Sequence, residues 1–380
     1  MLPSRGPGTR MKDPSRTRVV HVVVGGEVGG AERMLADLAS GDPRGSTGVD
    51  HTVALLSPIE ELGRMFRKAG LRVLDRGRAG EGPLHLLVRS FGRADVAWIA
   101  GVLGREAAHI VHLHTFGSQV VGTRAALRAG TRVVRTEHST RVYDDPSCWP
   151  FSRWSLARTD LALAVSQHVH DVAVRKAPWA RGRLRVVPNG VDVERFAPAG
   201  ESPTGPFSFV LVGRLEPRKG VDLALRALAD VPGARLDVVG DGAARATLEA
   251  LARELRVSDR VRFHGAVDDV RPILAKAHAA LGSSRTEGLG IALLEAMAMG
   301  LPVVSFAVGG VRETVVDGGT GLLAREGDVG SLAAAMRRAA GAVDGMRRFG
   351  EAGRRRVVEH FSMDAMRLGY ARVYAELRER

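Results

Sequence analysis

The sequence has a single cysteine, Cys148, among its 380 residues. That excludes an intrachain disulfide and any cysteine-built metal cluster, and it fits a reduced, cytoplasmic setting. Long apolar runs are missing as well, since no stretch approaches the roughly 18–20 residues of a membrane-spanning helix. The opening MLPSRGPGTRMKDPSRTR is rich in arginine, proline and serine and lacks the apolar centre of a secretory signal. Residues 1–17 therefore read as a disordered tail, within which Met11 offers a second start. Aromatic residues make up only 5% of the chain and the basic residues are scattered, so there is no stacking platform for a nucleic acid. A basic nucleic-acid-binding protein stays a remote alternative, and no nucleic-acid partner is expected. Internal repeats of solenoid length are also lacking.

What is present describes a globular protein. Hydrophobic residues account for 45% and charged residues for 26%, a balance that can bury a core. The length suggests two or three domains. The net charge is +13, unevenly spread: residues 1–200 hold 29 Lys and Arg against 19 Asp and Glu, the remainder 26 against 23. Such an excess favours anionic partners, either phosphates or an acidic membrane face.

Two series of short apolar strands follow one another. The first runs through RVVHVVVG (18–25), HTVALL (51–56), HIVHLH (109–114), TRVVRTEH (131–138) and DLALAVS (160–166). The second runs through FSFVLVG (207–213), RLDVVG (235–240), RVRFHG (260–265), HAALGS (278–283) and PVVSF (302–306). Strands of this kind, each ending in a loop and separated by helical segments, predict parallel sheets covered on both faces. Between the series lies FAPAGESPTGPF (196–207), with Pro198, Pro203 and Pro206 beside Gly200 and Gly205, which reads as a linker. The expected fold is α/β, with two doubly wound Rossmann-like domains facing a central cleft. Ligands in such sheets bind at the carboxyl ends of the strands.

Three constellations occupy those ends. VGRLEPRKG (212–220) places Arg214 and Lys219 on a strand-to-helix turn, where a planar fork and a point charge suit a diphosphate. The alternative is a solvated basic loop. In TEGLGIALLEAMAMGLPVVS (286–305), Glu287 sits on a loop and Leu289 is expected to open a helix. The amides of Gly288, Leu289, Gly290 and Ile291 would then receive an anion. Glu295, about two turns on and roughly 10 Å along the axis, can accept from both hydroxyls of a ribose. The competing reading pairs Glu295 with an arginine such as Arg285. The third, HVVVGGEVGGAER (21–33), has glycines at 25, 26, 29 and 30 and so misses the dinucleotide pattern G-x-G-x-x-G. His112 and His114 alternate on one strand; with no partner cluster apparent they read as packing residues. His138, at a strand's carboxyl end, has the better functional claim.

GRLEPRKG (213–220), the E-x7-E stretch at 286–305 and VVPNGVDVERFAP (186–198) together resemble the retaining GT-B glycosyltransferases of family 4, glycosyl transferases group 1. The resemblance extends from residue 18 over nearly the whole chain, through GGAER (29–33), VHLHTF (111–116), VVRTEHS (133–139), AVSQ (164–167) and FSMDAMRLGYARVYAEL (361–377). It implies an N-terminal acceptor-side domain at 18–196, a linker at 197–206, and a nucleotide-sugar-binding domain at 207–360. A terminal helix, 361–380, would cross back to the N-terminal domain.

On the same resemblance the donor is a nucleotide-diphosphate sugar, with Arg214 and Lys219 as its diphosphate pair. Glu287 would face the donor sugar, Glu295 the ribose, and His138 the reacting sugar and acceptor. Gly29 and Gly30 would flank the diphosphate. Arg218, where an acidic or neutral residue is frequent, makes the loop more positive; Leu289 stands where an aromatic is common. With no D-x-D in the sequence, no metal and no cofactor are expected.

The expected activity is a metal-independent, retaining, hexosyltransferase-type transfer serving cell-envelope or natural-product glycosylation. The acceptor hydroxyl would belong to a glycan, a lipid-linked compound or a small molecule. The charge of the first 200 residues points to an anionic or lipid-linked acceptor and to peripheral association with the inner face of a membrane. The alternative is a GT-B-fold sugar-nucleotide epimerase, which shares the donor contacts but needs no acceptor.

Overall fold

The computed structural model describes residues 13, 15–25, 30–39, 47–56, 59–77, 92–200 and 203–380. Its first sheet contains β1 (Thr17–Val24), β2 (Val49–Leu56), β3 (Arg72–Asp75), β4 (Ile110–Leu113), β5 (Arg132–Glu137), β6 (Leu161–Ala164) and β7 (Leu184–Val186). They lie in the order β3-β2-β1-β4-β5-β6-β7. The second contains β8 (Ser208–Val212), β9 (Arg235–Val239), β10 (Val261–Gly265), β11 (Ala279–Gly282), β12 (Val303–Phe306) and β13 (Gly321–Ala324), in the order β10-β9-β8-β11-β12-β13. Every neighbouring pair of the second sheet runs parallel.

The valine-rich strands are apolar on both sides because both sides are covered. On one face of the first sheet Val20, Val22, Val111 and Leu113 pack with Ile99, Val102, Val121 and Ala125 from the helices Ala94–Glu106 and Phe116–Ala129. On the other, Val23, Val53 and Leu55 pack with Leu35, Leu62 and Phe66 from the helices Gly30–Ala39 and Glu60–Lys68. Full burial of a side chain such as Phe66 contributes about 1.5–3 kcal/mol. β1 starts at Thr17, one residue before the sequence pattern suggests, and Arg16 is tied to Asp50 at 2.6 Å.

Two compact units emerge. One comprises residues 1–135, 154–161 and 368–380; the other comprises 136–153 and 162–367. The last helix, Met363–Glu379, belongs from Leu368 onward to the first unit, where Tyr374 meets His112 of β4. Among the described residues no helix is long and apolar enough to cross a membrane.

Candidate active site

The second sheet reverses its winding between β8 and β11, so the loops after these two strands diverge and leave a crevice at the strand ends. The β8 loop carries Arg214 and Lys219, and the β11 loop carries Glu287. Close backbone packing joins the two. Gly220 adopts φ +62°, and a Cβ there would lie 2.0 Å from the carbonyl oxygen of Ser283, so only glycine fits. Ser283 Oγ donates to the Lys219 carbonyl at 3.0 Å, and the Arg285 amide donates to the Arg218 carbonyl at 2.8 Å.

Across this junction Lys219 Nζ donates to Glu287 Oε2 at 2.8 Å, with side-chain exposures of 18% and 16%. Two residues chosen from motifs 68 positions apart are thus in direct contact. Arg214 pairs with Glu216 at 3.0 Å, and Arg218 pairs with the other oxygen of the same carboxylate at 2.7 Å. The excess charge expected from Arg218 is therefore partly taken up inside the loop. Burial acts to raise the Glu216 pKa, but the Arg218 hydrogen bond and the charges of Arg218, Arg214 and Lys219 outweigh it and hold the carboxyl below its ordinary value. Arg285 makes a bidentate pair with Asp222 at 2.8 and 2.7 Å, and that hydrogen bond lowers the Asp222 pKa. Arg285 is thus committed to Asp222, contrary to the reading that offered it to Glu295.

The helix expected from Leu289 runs from Ile291 to Ala298. Gly290, in the left-handed region at φ +89°, forms its cap, and Leu289 is buried in the core before it starts. Glu295 is consequently four residues beyond the first helical residue, a little over one turn and about 6 Å along the axis, rather than two turns. It is half-buried.

His138 follows β5. The residue keeps some surface, but both ring nitrogens are shielded from solvent. Burial lowers its pKa to about 4, so at neutral pH it is an uncharged imidazole that can both donate and accept. Its carbonyl lies 2.4 Å from where a Cβ on Gly288 would sit, which brings the His138 and Glu287 loops together. Gly29 lies outside the described residues; Gly30 is the first residue of its helix and belongs to the first unit.

Two features escaped the sequence reading. Gly309, after β12, has φ +51°, and a Cβ there would be 2.1 Å from the Glu287 carbonyl, while the Gly310 amide donates to that carbonyl at 3.2 Å. The Gly-Gly doublet behind PVVSF was the available signal. Glu313 accepts from the Gln167 and His168 amides, both at 2.7 Å, beside the Ser166 cap of the helix Gln167–Lys176. The expectation that no further histidine joins His112 and His114 is corrected too: His21 closes a buried group of three with them.

The family model described as Glycosyltransferase Family 4 matches residues 28–195, and the one described as Glycosyl transferases group 1 matches residues 192–356. The chain is 32% identical over 324 residues to a D-inositol 3-phosphate glycosyltransferase 2 of Catenulispora acidiphila, covering 73% of this chain and 74% of that one. It is 35% identical over 228 residues to a phosphatidylinositol N-acetylglucosaminyltransferase subunit from Arabidopsis thaliana, covering 57% of this chain and 51% of that protein. The chain thus spans about half the length of that relative. Among solved structures, Anabaena HepE in complex with UDP and glucose superposes with a TM-score of 0.81 at 20% identity, covering 95% of this chain and 100% of that one.

Proposed function

The chain belongs to the group 1 glycosyltransferases of family 4 and has their GT-B fold, and from that premise we propose that it transfers a sugar from a nucleotide-diphosphate donor to an acceptor hydroxyl. The observation that carries this reading is the Lys219–Glu287 pair at the crevice of the second sheet. One cation and one carboxylate are held within 2.8 Å of each other where a diphosphate and its sugar would meet. Lys219 and Arg214 neutralise the charge that builds on the departing diphosphate, the work a metal ion performs elsewhere. Glu287 holds the donor sugar, Glu295 the ribose diol, and the neutral His138 a hydroxyl of the reacting sugar. The amides of Gly288 to Ile291 add donors for the phosphates.

Transfer with retention follows from attack on the face the leaving group vacates. The bond from the anomeric carbon to the phosphate oxygen breaks, the acceptor oxygen bonds to that carbon, and the acceptor proton passes to the phosphate. No side chain then serves as covalent nucleophile. The acceptor is a phosphorylated or lipid-linked hydroxyl compound, met at the inner face of a membrane. Supporting this are the excess positive charge of the first 200 residues and two relatives named for inositol phosphate and phosphatidylinositol. Both relatives are also named for transfer, and the epimerase reading has no support among them.

A screen of UDP-, GDP- and ADP-sugars by calorimetry, followed by product analysis with phosphorylated acceptors, tests the proposal. Expected are micromolar binding of one donor class, release of nucleoside diphosphate, and a product whose anomeric coupling matches the donor. Conversion of the donor to an epimer without release would overturn it, and loss of turnover in EDTA restored by magnesium would overturn its metal-free form.

A further inference from the structure

A group of imidazoles lies wholly inside the first unit and has no part in the donor site. His21 on β1 is the register partner of His112 on β4, and Val19 is the partner of His51 on β2, so adjacent parallel strands bring the rings onto one face. His114, two residues after His112, joins them. His21, His112 and His114 are buried, and one ring nitrogen from each falls within 4.8 Å of the others. Ring centroids are 5.3 Å apart for His21–His112, 5.1 Å for His21–His114 and 4.0 Å for His112–His114.

Two of the outer nitrogens are already held. His51 Nδ1 is 2.8 Å from His21 Nε2, and the Tyr374 hydroxyl is 2.7 Å from His112 Nδ1. Such contacts fix the tautomer of a metal-bound imidazole, leaving the inner nitrogen to the ion. Tyr374 is fully buried and its pKa is raised well above the phenol value by that burial, so it acts as a hydrogen-bonding phenol.

We propose that His21, His112 and His114 bind one divalent transition-metal ion of the zinc class, with His51 and Tyr374 orienting the ligands, as a structural pin joining β1, β4 and the last helix. Imidazole-only donors suit zinc, copper or nickel. In a tetrahedral zinc site two nitrogens stand about 3.3 Å apart, given bonds of about 2.0–2.1 Å. His21 Nδ1 and His114 Nε2 are now 2.8 Å apart. Binding therefore opens this contact by roughly half an ångström and shifts the proton shared across it to an outer ring nitrogen, leaving each ligand a neutral imidazole. A water completes the fourth position.

The test uses the untagged full-length chain, stripped with EDTA and dialysed, then titrated with Zn²⁺ and Co²⁺. Expected are one zinc per chain by elemental analysis, the visible ligand-field bands of four-coordinate cobalt, and a higher melting temperature. His114→Gln should abolish the cobalt bands. His51→Gln, at a half-buried and more forgiving position, should weaken zinc binding about ten- to a hundredfold. A folded native chain that takes up no zinc and shows no cobalt bands would overturn the proposal. So would His114→Gln and His51→Gln variants that bind as tightly as the native chain.

Discussion

Replacing either member of the Lys219–Glu287 pair separates its structural part from its functional one. The contact is 2.8 Å long, with both side chains retaining less than a fifth of their exposure. Removing one partner of a fully buried pair costs about 3–5 kcal/mol, while an exposed pair is worth about 0–1 kcal/mol. At this intermediate burial Lys219→Met should cost about 1.5–3 kcal/mol, the range of a charge-assisted hydrogen bond. In a unit of this size that lowers the melting temperature by roughly 3–10 °C. Glu287→Gln should cost a similar amount, and the double variant less than the sum, because each single change strands the other charge. Binding should divide differently. Lys219→Met should weaken nucleoside diphosphate binding about ten- to a hundredfold. Glu287→Gln should leave that affinity equal or improved, since it removes a carboxylate that competes with phosphate for Lys219, and should lower kcat instead. Calorimetry, melting curves and steady-state kinetics on the three variants give all the terms. Parallel losses of affinity in both single variants, or native affinity in Lys219→Met, would refute the assignment.

Three further outcomes are expected. Because the folded His138 pKa, about 4, lies below the free imidazole value of 6.5, its neutral burial favours folding above pH 6.5, and that contribution is lost as pH falls toward 4; between pH 7 and pH 5 the loss is about 2 kcal/mol. His138→Asn should flatten that part of the stability profile and depress kcat more than donor affinity, as chemical denaturation at several pH values and kinetics would show. Gly309→Ala should cost more than 3 kcal/mol, from a left-handed backbone plus a clash with a carbonyl that cannot move, and should abolish donor binding, whereas Gly318→Ala (φ +68°, with nothing within 4 Å) should cost about 1–2 kcal/mol and leave donor binding unchanged. Glu295→Gln should mainly raise the donor KM, and the native enzyme should lose more than the variant when a 2′-deoxyribose donor is supplied; equal sensitivity would remove Glu295 from the ribose.

Much of the architecture was legible because β-branched runs closed by glycine or a polar loop mark buried parallel strands. The strands that escaped are short and weakly marked: β3 reads RVLD, β7 is LRV, and β13 is GLLA. Their pairing comes from neighbours, which supply what three or four residues cannot. The start of the helix at Ile291 was misplaced for a related reason. Leu289 has helical propensity, but it is drawn into the core while Gly290 turns left-handed after it. The partners of charged groups were the least legible. Arg285 stands ten residues from Glu295, yet its fork closes on Asp222, 63 residues away, because the β8 and β11 loops are pressed together at Gly220.

The same limit explains why a histidine pair on one strand concealed a larger group. Alternation shows that His112 and His114 share a face, but only sheet order tells which strand lies beside them. With β1 between β2 and β4, His21 stands opposite His112, and His51 comes within 2.8 Å of His21 despite the 30 residues between them. Parallel strands cannot be joined by a tight hairpin, so register partners are necessarily distant in sequence. The proposed donor site obeys the same geometry: residues 219, 287 and 309 come from three strand ends and meet through backbone contacts that exclude any Cβ at Gly220 and Gly309. Substitutions at those glycines should therefore damage function through position alone, while the charges they align remain in the chain.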